Sequence, residues 1–228
     1  MTARAIVCDA ACYEWDVVAP STNGTATPAV LAELSAFRGR VLHAHGRRPQ
    51  FFSLERGYAD DDPLDVHSFH ITARARSGLV GYMRVRPLPE HHQASVGPLV
   101  TSSRFAAILR DMGVTSDDCL EVSRWTVAPE ARGTAVGRTL VVAAWAIGRW
   151  LDKRRLVATV GNRDGQATML TRYGGQFFPL CGPRYFAEYD DELAPMYFDL
   201  DQPPGRVASQ LPLVAQLLKL QQLQKNPN

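Results

Sequence analysis

The sequence has little cysteine, no apolar run long enough to cross a bilayer, and almost no excess of charge of either sign. Its four cysteines, Cys8, Cys12, Cys119 and Cys181, form no C-x-x-C pair, which removes the usual zinc and dithiol motifs. They read as reduced thiols of a cytoplasmic protein, with a Cys8–Cys12 bridge as the alternative left open. Arg4, Asp9, Glu14 and Asp16 interrupt the apolar core that a secretory signal needs, and a membrane helix needs about 20 consecutive apolar residues. A net charge of +2 makes no electrostatic case for nucleic acid or a membrane surface as partner. His43, His45 and the His91–His92 pair read as solvated histidines, and no metal site is expected. No internal repeat is visible. Hydrophobic residues make up 46% of the 228, enough for one globular domain with a real core.

The richest stretch is residues 119–140, CLEVSRWTVAPEARGTAVGRTL. β-Branched and aromatic residues between Val122 and Val127 predict a strand. Pro129 breaks it, Arg132 and Gly133 occupy a turn, and a helix begins near Thr134. Val136, Leu140, Val141, Ala144, Ile147 and Leu151 recur at helical spacing, and Lys153, Arg154 and Arg155 suit the negative end of that helix. A tight turn entering a helix leaves unpaired N–H groups aimed outward with the positive dipole end behind them, an arrangement that receives phosphate.

Elsewhere, residues 28–45 predict a helix with Pro28 in its first turn. Residues 66–73 and 79–85 predict a hairpin around Arg76, Ser77 and Gly78, and residues 102–112 a short amphipathic helix stopped by Gly113. Residues 156–160 read as an apolar strand, and Asn162 as the cap of a helix that runs to Tyr173 and stops at Gly174 and Gly175. Two more strands are expected near residues 177–178 and 196–200. Strands alternating with helices predict an α/β fold with a mixed central sheet flanked by helices. Residues 1–27 form a variable N-terminal segment whose closing loop is mobile or a lid, and residues 28–201 form the main domain. Residues 202–228 carry an amphipathic tail helix over 211–223 that caps the core or makes a dimer.

Within the turn, Val127-Ala-Pro-Glu-Ala-Arg-Gly-Thr-Ala-Val-Gly137 resembles the acyl-CoA-binding motif of the GNAT superfamily of N-acyltransferases. In that motif an Arg or Gln opens an R-x-x-G-x-G run whose amides hold pyrophosphate. Ala135 stands here at the first glycine, which is tolerable only with φ below zero, as in a first helical turn. Just upstream, Glu121-Val-Ser-Arg124 resembles the Glu-x-Ser-Arg element of acyl-homoserine lactone (autoinducer) synthases and the related N-acyl amino acid synthases. Arg38-Gly-Arg-Val-Leu42, Asp62-Pro-Leu-Asp65 followed by Phe69, and Gly81-Tyr-Met-Arg84 resemble three further elements of that family in the same order. The likeness covers residues 37–200. Two departures favour an N-acyl amino acid product over a lactone made from S-adenosylmethionine. Leu42 stands where autoinducer synthases carry Phe, and their nearby Trp has no counterpart in residues 46–50.

The resemblance implies a GNAT-like fold and N-acyl transfer from a thioester. It assigns the grip on the carrier's phosphates to Arg132, Gly133, Thr134, Ala135, Val136, Gly137 and Arg138. The oxyanion donor maps to a backbone N–H near Val127. Glu121, with Arg124 beside it, orders the incoming amine or relays its proton through water; the alternative is a structural ion pair of Glu121 with Arg84 or Arg124. Strand alternation puts Glu121 and Ser123 on one face and Arg124 on the other, so a β-bulge is needed to unite Glu121 with Arg124. Arg38, Asp62, Asp65 and Arg84, with Ser123 and Trp125, are assigned to the acceptor's amine and carboxylate; the alternative is a solvated acidic loop over residues 60–65. Thr171 fills the slot where acetyltransferases often carry a Tyr that protonates the thiolate, and Tyr173 reads as a packing residue. Trp145 and Trp150 are core or acyl-pocket wall. Arg47-Arg48 and Lys153-Arg154-Arg155 either dock an acidic acyl carrier protein or are solvated faces.

The sequence thus points to a cytoplasmic N-acyltransferase that moves a fatty acyl group to the amine of a small, amino acid-like acceptor, giving an N-acyl amino acid or an acyl-homoserine lactone. Acyl-CoA or acyl-acyl carrier protein is a co-substrate and no cofactor is bound. Long chains are favoured because each buried methylene adds roughly 0.8 kcal/mol. Two alternatives stand beside this: an acetyl-CoA-dependent acetyltransferase of a small amine or protein, and a GNAT-like module that binds an acyl carrier without turnover. Oligomeric state is not readable.

Overall fold

In the computed structural model, which describes residues 10, 12–20, 26–43, 48–163, 165–187 and 189–220, β-rich and helical segments alternate along the chain. In order they are β1 (Glu14–Val18), α1 (Pro28–His43), β2 (Phe52–Ser53), β3 (Gly57–Tyr58), β4 (Phe69–Ala75), β5 (Gly78–Pro87), α2 (Ser102–Asp111) and β6 (Cys119–Val127). There follow α3 (Val136–Trp150), β7 (Arg155–Gly161), α4 (Gln166–Arg172), β8 (Gly175–Phe177), β9 (Arg184–Phe186), β10 (Asp191–Asp199), α5 (Gly205–Ala208) and α6 (Leu211–Leu217). The main sheet runs β1-β4-β5-β6-β7-β10-β8, with β9 paired to β10. Its β6–β7 pair is parallel, and β5–β6 and β7–β10 are antiparallel. The expected mixed sheet flanked by helices is present.

Period-two alternation on β5 sets up the site. Gly81, Met83 and Val85 face α3, whereas Tyr82, Arg84 and Arg86 face the α1 side, where Tyr82 meets Arg38 of α1. Glycine at 81 is required by close approach, because a Cβ there would lie 2.4 Å from Val136 Cγ1. Most of α3 is buried, including Leu140, Ala144, Trp145 and Ile147, since the sheet covers one side and α6 packs on it as well. The tail helix expected over residues 211–223 instead ends at Leu217, and Lys219 takes φ 52°; Val214, Leu218 and Leu220 of the tail join that core, so the tail caps it, and residues 221–228 lie outside the described residues. A second, smaller core joins Ala94, Val96 and Val100 of the loop after β5 to Phe105 and Ile108 of α2.

Three expectations about local structure are corrected. β1 falls inside the stretch set apart as a variable segment, yet it pairs with β4 and buries Trp15 and Val17; of the expected lid loop at residues 21–28, residues 21–25 lie outside the described residues, while Ala26 is buried and its N–H donates to the Ala19 carbonyl at 3.1 Å. Asn162 does not cap α4: its N–H goes to Asp191 Oδ1 (3.1 Å) and the Glu192 carbonyl (3.0 Å), and Gly165 at φ 71° precedes the helix. Arg155 opens β7 and pairs with Asp199 at 2.7 Å, so it is neither a helix-end cation nor a free docking group. Lys153 and Arg154 donate to the carbonyls of Asp117 and Gly113, tying α3's exit to the segment before β6. Arg47, the other half of the first basic pair, lies outside the described residues.

Candidate active site

The site forms where β6 departs from regularity. Tyr82 faces Thr126 and Arg84 faces Ser123, so β6 carries one residue more than β5 between the two pairs. Arg124 takes φ 57° at this bulge, but the bulge does not unite it with Glu121. Its guanidinium swings onto Asp60 (3.1 Å) and Asp62 (3.0 Å). Pairing with β7 ends at Val122 opposite Ala158, although both strands continue. The diverging edges line a cavity of about 980 Å³. Ala128 N–H donates to the Val80 carbonyl at 2.9 Å, so alternation turns the Val127 N–H away from β5 and toward the cavity. The Val127 carbonyl points the same way and accepts from Arg132 Nε at 3.4 Å.

The turn before α3 has the form expected of an anion cradle. Gly133 sits at φ 78°, a left-handed conformation that glycine alone adopts without cost. Thr134 Oγ1 donates to the Ala131 carbonyl (2.7 Å) and accepts from the Val136 N–H (3.2 Å). Ala135 has φ −69° and ψ −19°, so a side chain is accommodated where the family motif has glycine. The N–H groups of Gly133, Ala135, Gly137 and Arg138 make no backbone hydrogen bond among the described residues. Arg132, Gly133, Thr134, Gly137 and Arg138 line the cavity; Ala135 and Val136 are buried beneath the turn.

On the α1 side of the sheet three guanidinium groups meet three carboxylates. Arg38, fully buried, bonds Asp60 (3.0 Å), Asp65 (2.6 Å) and the Tyr82 hydroxyl (3.1 Å). Arg84 bonds Asp62 (2.8 Å), Asp65 (2.7 Å) and Ser123 Oγ (3.1 Å). Asp62 also accepts the Leu64 N–H at 2.9 Å, and Arg124 closes the network. Burial alone would raise the Asp62 pKa, but the Arg84 charge, the Leu64 N–H and Arg124 hold it well below the ordinary carboxylate range. His70 bridges the Tyr82 hydroxyl (2.8 Å) and the Asp65 carbonyl (2.9 Å). Burial lowers its pKa to about 4, so the ring is neutral near pH 7.

Asp60 and Asp65 are thus buried, which excludes a merely solvated acidic loop. Asp62, Arg84, Ser123, Arg124 and Trp125 line the cavity. Arg38 and Asp65 stand behind them: Arg38 spends its donors on Asp60, Asp65 and Tyr82 and reaches no cavity surface. Glu121 also departs from expectation. Its partner is Arg86 (Nε to Oε2, 2.6 Å), not Arg84 or Arg124, and Ser95 N–H donates to its other oxygen.

Arg86, Asp60, Tyr82 and His70 escaped the sequence-based assignment. Arg86 shares the face of Arg84 two residues on, but its pairing depends on the register that sets it opposite Glu121. Tyr173 is buried, with the Arg206 guanidinium 5.7 Å from its ring centre, and Thr171 Oγ1 donates back into its own helix. Trp145 lines the cavity, whereas Trp150 packs edge-on against Phe69 at 6.0 Å. His91 bonds the Val100 carbonyl, and His45 lies outside the described residues. Burial pushes the Cys119 thiol up to about 12, which makes it inert; Cys8 lies outside the described residues.

Residues 43–142 match the family model described as an acetyltransferase (GNAT) domain. No curated protein is significantly similar in sequence. Among solved structures, BjaI, a CoA-dependent acyl-homoserine lactone synthase solved with SAM and isopentyl-CoA, is 14% identical. It aligns over 92% of this chain and 90% of its own with a TM-score of 0.61. The CoA-dependent acyl-homoserine lactone synthase MesI is 16% identical over 88% of this chain and 95% of its own, with a TM-score of 0.61. ElaA of Escherichia coli is 17% identical over 82% and 98%, with a TM-score of 0.55. At these identities the likeness is one of fold.

Proposed function

We propose that this chain, an acyltransferase with a GNAT domain over residues 43–142, transfers a fatty acyl group from a CoA or carrier-protein thioester to the amine of an amino acid-like acceptor. The product is an N-acyl amino acid or an acyl-homoserine lactone, and the absent aromatic residues near Leu42 favour the former. One observation carries the proposal: a single cavity adjoins both the open amides of the turn before α3 and the apolar side chains Met83, Val122, Val141, Ala144, Trp145 and Leu156. A phosphate-bearing carrier fits one part, at the turn before α3, and an alkyl chain the other, along the apolar side chains. The likeness to BjaI and MesI, both CoA-dependent acyl-homoserine lactone synthases, supports CoA as the carrier, with acyl carrier protein as the second donor. The catalytic unit is residues 28–201 extended by β1, and it acts in the cytoplasm.

The chemistry follows from the arrangement. The acceptor's amine nitrogen attacks the thioester carbonyl carbon, a C–N bond forms, and the carbonyl oxygen takes up negative charge. The Val127 N–H, turned into the cavity, is the donor assigned to that oxygen; losing one such donor typically costs about 10²–10³ in rate. Collapse breaks the C–S bond and releases the thiolate, and the amine's proton ends on sulfur or in solvent. Arg84 and Arg124 face the acceptor's carboxylate, Asp62 its ammonium group before deprotonation, and Ser123 and Trp125 complete the wall. Thiol release from purified protein with acetyl-CoA, long-chain acyl-CoA and acyl-acyl carrier protein, each with pooled amino acids plus S-adenosylmethionine, tests this. Release confined to the long donors is expected; release with acetyl-CoA alone, or donor binding without release, contradicts it.

A further inference from the structure

The loop between β5 and α2 forms one wall of the cavity through His92, Gln93, Ala94, Ser95, Pro98 and Leu99. Its apolar side is anchored in the second core by Ala94, Val96 and Val100. A charged tether holds its polar side. Arg86 donates through Nε to Glu121 Oε2 (2.6 Å) and through Nη2 to the Gln93 carbonyl (3.0 Å). Glu121 Oε1 accepts the Ser95 N–H. Both carboxylate oxygens are therefore engaged, and Glu121 is fully buried. Ser95, held through its N–H, borders the cavity, while its Oγ is buried without a hydrogen-bond partner.

We infer that Glu121 is a positioning residue in this chain: with Arg86 it clamps residues 91–99 as one wall of the cavity, and it does not take the acceptor's proton. The inference rests on the acyl-transfer reading of the cavity. A general base must lie within hydrogen-bond reach of the proton it removes. Glu121 borders the cavity, but its two oxygens are engaged by a guanidinium and a backbone N–H, and protonating it would strand a buried arginine. The acceptor then reacts as the free amine, and its proton passes to the expelled thiolate or to water.

The two roles separate by pairing substitutions. Glu121→Gln sets an amide NH₂ against either Arg86 or the Ser95 N–H, donor facing donor. The double variant Arg86→Gln/Glu121→Gln restores the match. The amide carbonyl at 121 accepts from Ser95, the carbonyl at 86 accepts from the amide at 121, and the NH₂ at 86 keeps the Gln93 carbonyl. Kinetics across pH with a long-chain acyl donor, and amide exchange at Ser95, are measured on wild type, both Gln variants and Arg86→Lys. Glu121→Gln should lose about 10²-fold or more in turnover, the magnitude usually ascribed to a lost base, yet the double variant should recover at least tenfold of it with the wild-type pH profile. Ser95 exchange protection should fall in Glu121→Gln and return in the double variant.

A double variant as slow as Glu121→Gln, or one lacking the acidic limb of the profile, overturns the inference in favour of a base. If the double variant fails to fold, Arg86→Lys decides. It keeps Glu121 and the charge, so unchanged donor KM and unchanged Ser95 exchange would sink the clamp. Because the exchange readout does not depend on turnover, wild type inactive with every donor would count against the proposed activity and leave the clamp to be judged on exchange.

Discussion

Arg38 carries a charge with no access to solvent, and its cost is met by named partners: Asp60, Asp65 and the Tyr82 hydroxyl. Deleting one member of a buried pair strands the others, at about 3–5 kcal/mol. Arg38→Met should therefore lower the unfolding midpoint steeply; a variant of wild-type stability with only a raised acceptor KM would return Arg38 to the binding surface. His70 gives the pH counterpart. Its pKa is about 4 in the fold, lowered chiefly by burial, against about 6.5 in the unfolded chain. Between those values the unfolded chain binds the proton and the folded one does not. Stability is thus complete above about 6.5 and is lost as pH falls toward 4, by on the order of 3 kcal/mol. Asp62, held low by Arg84, adds a second loss below the ordinary carboxylate range. Denaturant midpoints from pH 7 to 4 should fall in wild type and flatten in His70→Gln above pH 4. An unchanged slope in that variant would remove His70 from the account.

The bulge in β6 and the turn before α3 belong to the scale of the element. Arg124 at φ 57° and the end of β6–β7 pairing at Val122 together open the cleft. Gly133→Val would place a β-branched residue at φ 78°, a strain of about 1–3 kcal/mol. Donor KM should rise about tenfold for each 1.4 kcal/mol felt at the turn, with acceptor KM unchanged. Equal donor affinity would separate the turn from carrier binding. The elements legible beforehand were those whose signal is local: β6, α3, the β4–β5 hairpin and α1 follow from alternation, helical spacing and turn residues. β1 was invisible because its partner β4 lies some fifty residues away, and five residues carry too little pattern to announce a pairing. Asn162 looked like a cap until Asp191 of β10 engaged its N–H, a contact that no local pattern encodes. Motif pieces from α1, the 60–65 segment, β5 and β6 do converge, but spacing could not tell the residues lining the cavity from Arg38 and Asp65 behind them. It could not match Glu121 with Arg86 either, since that needs the register.

At the scale of the molecule the sheet divides two kinds of chemistry. One face holds the compensated charges around Arg38, Arg84 and Arg124; the other packs α3 under the tail. The cleft between β6 and β7 is where the two sides meet, so one cavity is bordered by charged side chains such as Asp62, Arg84 and Arg124 and by apolar ones such as Val141, Ala144 and Leu156. No helix among the described residues is long and apolar enough to cross a membrane, and the core left by α3 is closed by the chain's own C-terminal helix. The most direct test is the mass of the product that purified protein forms from a long-chain acyl-CoA in a pool of amino acids. A product equal to one amino acid plus the fatty acid, less water, with one thiol released per product, is the expected result. Thiol release with no acylated small molecule, or acylation only from acetyl-CoA, would contradict it.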